Sequence, residues 1–414
     1  MKQEDLHTFM EEVQQVEEGE EYRPGNERWE RRPLSELIEP VLGKTPKRGN
    51  DEFWEGGDIK WASAKDISQS KTRHVFETED RMTEAGKEES NAKVMPEGTV
   101  VVTARGTVGE VVQLGEPMTY NQSCYGLATN DELLEDYLYY AWQYVFGQVQ
   151  AVSYGTVFDT ITMKSFKDIE IPVPPIEVQR LIADSLGQFD DKIEKNLDIA
   201  EDLESLTDAI FSDMISGESE EWTETEFGEI VEMYSGGPRK TTDKYTGGTH
   251  EWLTPTDVTD NGLSVINSTE RKLNDLAFEE TSVDLLPEDS VFLTSRATVG
   301  EVVVNKFPMA MNQGFIGLKP AEDIPPHFLA HLVKDKRAVI ESRASGSTYP
   351  EISQRGFADI DVKLPPVEQR EEFEEHSSSA YNLISSLLRE NSLLRSTQEQ
   401  LLPKMLSGAI LPPG

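Results

Sequence analysis

Two stretches of the chain carry the same hydrophobic rhythm. In residues 174–217, Ile182, Leu186, Phe189, Ile193, Asn196, Ala200, Leu203, Thr207, Ile210 and Met214 recur at alternating four- and three-residue steps. In residues 365–408, Phe373, Ser377, Ala380, Ile384, Leu387, Asn391, Leu394, Gln398, Leu401 and Met405 do the same. This spacing predicts helices that each bury one seam against a helical partner. Each stretch opens on a Pro-Pro pair, which no helix interior tolerates, and closes on Met-Ile/Leu-Ser-Gly, whose glycine is a stop signal. At about 1.5 Å per residue each helix spans roughly 60 Å. Asn196 and Asn391 fall on the seam, where a polar pair sets register at some cost in stability; the alternative is a solvated position.

Elsewhere the periods are shorter. Thr99–Thr103, Val108–Val112, Ile169–Val173, Ser290–Thr294 and Val299–Val303 are β-branched runs bounded by Gly-rich turns and are expected to be strands. Glu132–Phe146, and His327–Lys334 in the second half, are expected to be helical. Residues 1–30 are mostly polar, with a short apolar face at Leu6, Phe9, Met10, Val13 and Val16 ahead of an acidic linker.

The chain repeats itself. Val101-Val102-Thr103-Ala104-Arg105-Gly106-Thr107-Val108-Gly109-Glu110 returns as Phe292-Leu293-Thr294-Ser295-Arg296-Ala297-Thr298-Val299-Gly300-Glu301, an offset of 191 residues from Thr103 to Thr294. At the same offset Asn121-Gln122 returns as Asn312-Gln313, Trp61 and Asp66 as Trp252 and Asp257, Gly155-Thr156 as Gly346-Ser347, Phe166 as Phe357 and Met214 as Met405. One register for so many matches implies two copies of one unit, a mixed α/β domain followed by a long helix. Two copies in one chain tend to pair about an approximate two-fold. The copies diverge most at 66–98 against 257–289, and around 113–117 and 128–153 against their counterparts.

Composition changes this picture in two ways. The single cysteine, Cys124, excludes an intramolecular disulfide and a cysteine-based metal cluster, which fits a reducing cytoplasm; neither a signal-peptide pattern nor a membrane-length apolar run is expected. Acidic residues outnumber basic ones 77 to 39, for a net charge of −38 spread along the chain. A salt-loving host is the favoured explanation, with a DNA mimic and an acidic protein with a basic partner as alternatives.

No catalytic constellation emerges. Gly43-Lys44-Thr45 lacks the glycine of a phosphate-binding loop at Ile38 and is followed by Pro46. Neither a dinucleotide-type glycine fingerprint nor histidine metal spacing occurs, and Asp323-Ile324-Pro325-Pro326-His327 is not the base-holding motif of amino-methyltransferases. The informative motif is the repeated Thr-x-Arg-x-Thr-Val-Gly-Glu turn. Arg105 and Arg296 sit on it either as clamps for a phosphate or base edge, or as ion-pair partners of Glu110 and Glu301.

The order of these pieces resembles the specificity (S) subunits of type I restriction-modification systems. They are a Gly-Lys-Thr-Pro or Gly-Gly-Pro turn, an aromatic stretch leading to Trp and Asp, the Ala/Ser-Arg-x-Thr-Val-Gly turn, Asn-Gln, a Gly-Ser/Thr loop, and Pro-Pro-x-Glu before a long helix ending Met-Ile/Leu-Ser-Gly. In the first copy the Pro-Pro motif reads Ile-x-x-Pro-Pro-x-Glu-x-Gln, from Ile171 to Gln179, and the second copy departs in having Val362 for the Ile and Arg370 for the Gln. The resemblance covers residues 31–408. It implies an α+β protein: target recognition domains at 31–173 and 218–364, separated by antiparallel coiled-coil spacer helices at 174–217 and 365–408, with an acidic extension at 1–30 and a tail at 409–414. Such a chain is non-catalytic and carries no cofactor. It reads a bipartite site in double-stranded DNA and scaffolds two adenine methyltransferase subunits and, in some systems, restriction subunits. A self-contained DNA-modifying enzyme and an acidic inhibitor are the rival readings.

If the copies read different half-sites, shared residues are framework or phosphate contacts: Arg105, Arg296, Gly155, Thr156, Gly346 and Ser347. Base readers are expected where the copies disagree, from Lys65, Lys71, Arg73 and Arg81 in the first and Arg239, Lys240, Lys244, Arg271 and Lys272 in the second, or these are solvated surface charges. In molar salt the electrostatic part of DNA affinity is largely lost, so weak DNA binding by the isolated chain is expected.

Overall fold

The apolar runs meant as strands are buried on both faces, and that decides the layering. The structure is a computed structural model describing residues 29–147, 149–150, 160–217, 221–237, 243–296, 298–345 and 350–411. It divides into two compact units, one running to Glu194 and including the chain from Leu393 onward, the other Lys195–Ser392.

In the first unit a five-stranded sheet has the order Ile38–Leu42, Cys124–Thr129, Val100–Thr103, Val111–Leu114, His74–Val75, antiparallel except for the last pair. A three-stranded sheet runs Asp80–Met82, Ile59–Ala62, Thr119–Tyr120. Strand side chains alternate between faces. Val100 and Val102 therefore join the large core under helix Glu135–Tyr144, while Val101 joins the smaller core with Ala62, Leu114 and Tyr120. With both faces covered, the central strand reads as an unbroken apolar run rather than an alternating one.

The second unit has the same strand order: Val231–Ser235, Phe315–Pro320, Val291–Thr294, Val302–Asn305, Val265–Ile266, and beside it Lys272–Leu273, Thr246–Leu253, Met309–Met311. Val291 and Leu293 face the core under helix Pro326–Asp335, and Phe292 faces the other. The regions most divergent in sequence build matching elements. A capped short helix at Ala64–Ser68 corresponds to Pro255–Asn261, and Glu84–Ser90 to Asp275–Glu280.

Several expected boundaries move. The strands expected at Val108 and Val299 start only at Val111 and Val302, because the preceding residues close a turn onto Thr103 and Thr294. Helix 132–146 shortens to Glu135–Tyr144.

The long helices are Ile176–Ser216 and Val367–Leu406. In the first unit Ile182, Leu186 and Phe189 share a core with Leu401 and Met405, and Gln398 donates to the Leu186 carbonyl at 3.2 Å. In the second, Asn196 donates to Asn391 Oδ1 at 2.8 Å with both side chains buried, and Phe211 meets Phe373 edge-on at 5.5 Å. Within that unit partner numbers fall on one helix as they rise on the other. Both asparagines are buried and bonded to each other, so neither is a solvated position. No described helix is long and apolar enough to cross a membrane.

Candidate nucleic-acid interface

The repeated residues converge on one edge of each large sheet. In the first unit the Thr103 hydroxyl accepts from the Glu110 amide at 3.0 Å and donates to the Thr107 carbonyl, closing the turn that carries Arg105. Gly109 completes it at φ +97°, in the region that favours glycine, and a Cβ there would lie 2.8 Å from the Phe146 ring. This turn binds its neighbours through the backbone: Ala104 N–H donates to Ser123 O at 2.6 Å, and Ile161 N–H to Ala104 O at 3.1 Å. The Asn121 side chain caps its own turn by accepting from the Ser123 amide at 3.0 Å. Gly43 passes so close that a Cβ there would lie 2.1 Å from the Asn121 carbonyl, and Trp61 Nε1 donates to the next carbonyl, Lys44, at 2.8 Å.

The second unit repeats each link. Thr294 accepts from Glu301 at 2.8 Å, Ser295 donates to Gly314 at 2.6 Å and Ile352 to Ser295 at 3.1 Å. A Cβ on Gly236 would lie 1.6 Å from the Asn312 carbonyl, and Trp252 Nε1 donates to Gly237 at 2.7 Å. The three turns surround an open cleft of about 980 Å³, lined by Tyr245, Ser295, Arg296, Gln313, Glu351 and Arg355 among others. The shared glycines, threonines, asparagines and tryptophans thus act as framework, and the arginine is what the frame presents.

The candidate cations fare differently. Arg105 is exposed and, among the described residues, has no ion-pair partner. Arg296 is paired, but with Glu351 at 2.8 Å rather than with Glu301, which Arg337 engages at 2.6 Å. Lys65 pairs with Glu79 at 2.9 Å, and that hydrogen bond raises its pKa. Arg81 pairs with Glu77 at 3.1 Å, Lys272 with Glu251 at 2.7 Å, and Lys244 with Glu280. Arg271 is exposed and lies over the Trp252 ring at 4.9 Å, while Lys71 is exposed. Arg73 differs from the rest of the pool. It is buried, with its guanidinium bonded to Gln113, Asp136 and, at 3.2 Å, the Tyr140 hydroxyl, so in this conformation it is part of the interior. Gly155, Thr156, Arg239, Lys240, Gly346 and Ser347, and residues 1–28, lie outside the described residues.

Sequence reasoning passed over Arg48, which lies 4.1 and 4.4 Å from the Trp54 and Trp61 ring centroids and pairs with Asp80 at 2.7 Å. The signal was present, since Pro46-Lys47-Arg48 recurs as Pro238-Arg239-Lys240. Lys164 and Arg355, exposed at corresponding positions, were also passed over. Burial pushes the Cys124 thiol up to about 12, so it is no nucleophile at neutral pH. Among the described residues no group of three or more His, Cys, Asp or Glu is placed to hold a metal ion.

Comparison with known proteins gives these frames a family. The model of the type I restriction modification DNA specificity domain matches residues 26–204 and again 219–375, once on each copy. The chain belongs to that family. It is a specificity subunit with two target recognition domains, and DNA recognition is its role. Over 406 residues it is 23% identical to the type I restriction enzyme MjaIX specificity subunit of Methanocaldococcus jannaschii, covering 92% of this chain and 93% of that one. Over 175 residues it is 27% identical to the EcoR124I/EcoR124II specificity subunit of Escherichia coli, 41% of this chain and 42% of the relative. The crystal structure of the S subunit from M. genitalium has the same fold, with a TM-score of 0.57 at 18% identity, over 95% of this chain and 99% of that one.

Proposed function

We propose that each unit of this specificity subunit reads one half of a bipartite double-stranded DNA site through its three-turn edge, and that the long helices form an antiparallel coiled-coil spacer between two pseudo-two-fold-related domains. The observation that carries this reading is the duplicated frame, which presents Arg105 and Arg296 from matching turns. Helices of roughly 60 Å exceed one DNA turn of about 34–36 Å, which leaves an unread spacer between half-sites. Domain limits at 31–173, 174–217, 218–364 and 365–408 follow from this division.

Phosphate contacts fall to the shared residues Arg105, Arg296, Gly155, Thr156, Gly346 and Ser347. Base contacts fall to Lys65, Lys71, Arg81, Arg239, Lys240, Lys244, Arg271 and Lys272, whereas Arg73, buried and bonded to Gln113 and Asp136, supports the interior instead. The subunit is non-catalytic, cofactor-free and cytoplasmic. Two methyltransferase subunits that modify adenine dock on it, with restriction subunits as further partners. The charge of −38 suits a salt-loving host, where carboxylates keep the surface hydrated and the chain alone holds DNA weakly.

Long-read mapping of methylated adenine in the host, with and without this gene, tests the proposal. Loss of one bipartite methylation motif is expected, and an unchanged methylome overturns it. The purified chain incubated with magnesium or S-adenosylmethionine should leave DNA unaltered; turnover would establish the enzyme reading instead.

A further inference from the structure

Among the described residues, the two turns present the same arginine beside different partners. In the second unit Arg296 forms a backbone bridge with Glu351, and its guanidinium lies 2.8 Å from the Glu351 carboxylate. Glu351 is held on both sides. Its amide and carbonyl bond Ser345 at 3.1 and 3.0 Å, and the next residue, Ile352, donates to Ser295 at 3.1 Å. These backbone hydrogen bonds tie Glu351 to the turn, and its half-exposed carboxylate is the part that can swing. The nearer candidate in sequence, Glu301, is held by Arg337, which also binds Glu341 at 2.8 Å. Glu351 is thus the counter-ion of Arg296, and both groups line the cleft with Arg355, itself exposed and 3.9 Å from Asp359.

In the first unit Ile161 donates to Ala104 as Ile352 donates to Ser295. The residue preceding it, at the place of Glu351, is Thr160, and Lys164 occupies the place of Arg355. A carboxylate beside a guanidinium copies the charge and the paired oxygens of a phosphodiester. The pair is about half exposed, so the bond is weak enough to exchange for a stronger anion.

We propose that Glu351 is an internal stand-in for a DNA backbone phosphate: it occupies Arg296 until nucleic acid displaces it, so DNA engagement at this turn must first break the ion pair. The inference rests on the DNA-reading role proposed above. In the complex, a phosphodiester oxygen takes the place of Glu351 on the guanidinium and the carboxylate turns to solvent. Each cation that neutralises a phosphate contributes about 0.9 to the slope of log affinity against log salt. Salt also screens the Arg296–Glu351 pair, so removing the carboxylate takes away a competitor that is strongest at low salt and steepens that dependence by part of this amount.

The test is fluorescence anisotropy of a labelled mixed-sequence DNA duplex with the full-length chain, over a salt series starting at low ionic strength. Glu351→Gln keeps the size and the backbone bridge. It is expected to tighten binding roughly five-fold at the lowest salt and to steepen the slope by part of the about 0.9 that one phosphate contact contributes. Thr160→Glu should weaken binding and flatten the slope by a similar amount. The gain from Glu351→Gln should vanish in the Arg296→Gln background. Unaltered melting temperatures keep the comparison independent of folding. An unchanged affinity and slope for Glu351→Gln, or a gain that survives Arg296→Gln, overturns the proposal while wild-type binding leaves the DNA-reading role standing. Absence of duplex binding by wild type and all variants at the lowest salt overturns both.

Discussion

The two units share a backbone frame, yet wire their polar interiors with different chemistry. In the first, Arg73 is the centre: its guanidinium bonds Gln113 and Asp136 and lies near the Tyr139 and Tyr140 rings, while the Tyr140 hydroxyl bonds the buried Asp190. At the matching position the second unit has Ser264, as the strand bond from Val304 to Ser264 shows beside that from Gln113 to Arg73. Its interior is built on histidines instead. His331 Nδ1 lies 2.9 Å from Asp208 and its Nε2 lies 3.3 Å from the Tyr381 hydroxyl, while His327 bonds Glu374 at 2.6 Å. Hydrophobic shape tolerates few changes in a packed interior, whereas a buried polar group needs only some complete set of partners. The two units therefore share the frame and differ in the wiring.

Removing the centre of one network gives the largest separation. Arg73→Ala leaves the Tyr140–Asp190 pair and Gln113 without their cation, and is expected to cost about 3 kcal/mol. Hydrogen exchange should show the loss in Val100–Thr103 and Val111–Leu114 and spare Val291–Thr294. Equal loss in both units would break the comparison.

Acidification should move the two networks in opposite directions. Burial lowers the pKa of His331 below its ordinary 6.5, more than the opposing hydrogen bond to Asp208 raises it. The unfolded state then takes up the proton first, so His331 favours folding above pH 6.5 and loses that contribution as pH falls. Burial raises Asp190 above its ordinary 3.8, so the folded state is protonated first and this group's contribution improves as pH falls toward that value. For a single proton the slope is at most about 1.4 kcal/mol per pH unit. Unit-resolved exchange between pH 7 and 5 should show the second unit weakening, and His331→Gln should flatten its response. A slope unaffected by that substitution would remove the assignment.

Helix caps should give the smallest effect, and the same one in both units. Ser63 with Asp66 and Thr254 with Asp257 form reciprocal capping boxes. Ser63→Ala and Thr254→Ala should each cost about 1 kcal/mol. Thermal melts that differ by much more than this between the two variants would show that the frames are not energetically alike.

The motifs divide along the same line. Gly43, Trp61, Thr103, Gly109 and Asn121 act through contacts with each other's backbones, and their recurrence 191–193 residues later made the frame legible before any coordinates. Arg73 was indistinguishable from a surface cation, because its partners Asp136 and Tyr140 lie 63 and 67 residues away. The partner of Arg296 was misjudged for a similar reason. Glu301 is closer in sequence, but Arg337, from a helix 36 residues further on, already holds it.

Periodicity and repetition are local properties, and from the sequence they determined the long helices, the duplicated unit, the turn residues and the family resemblance. Charge pairing is not local. With acidic groups outnumbering basic ones 77 to 39, almost any cation has several candidate carboxylates, and chain order does not rank them. Only the packed arrangement of strands and helices decided which cations are consumed by carboxylates and which remain presented, because a 3 Å contact is set by where whole elements come to rest.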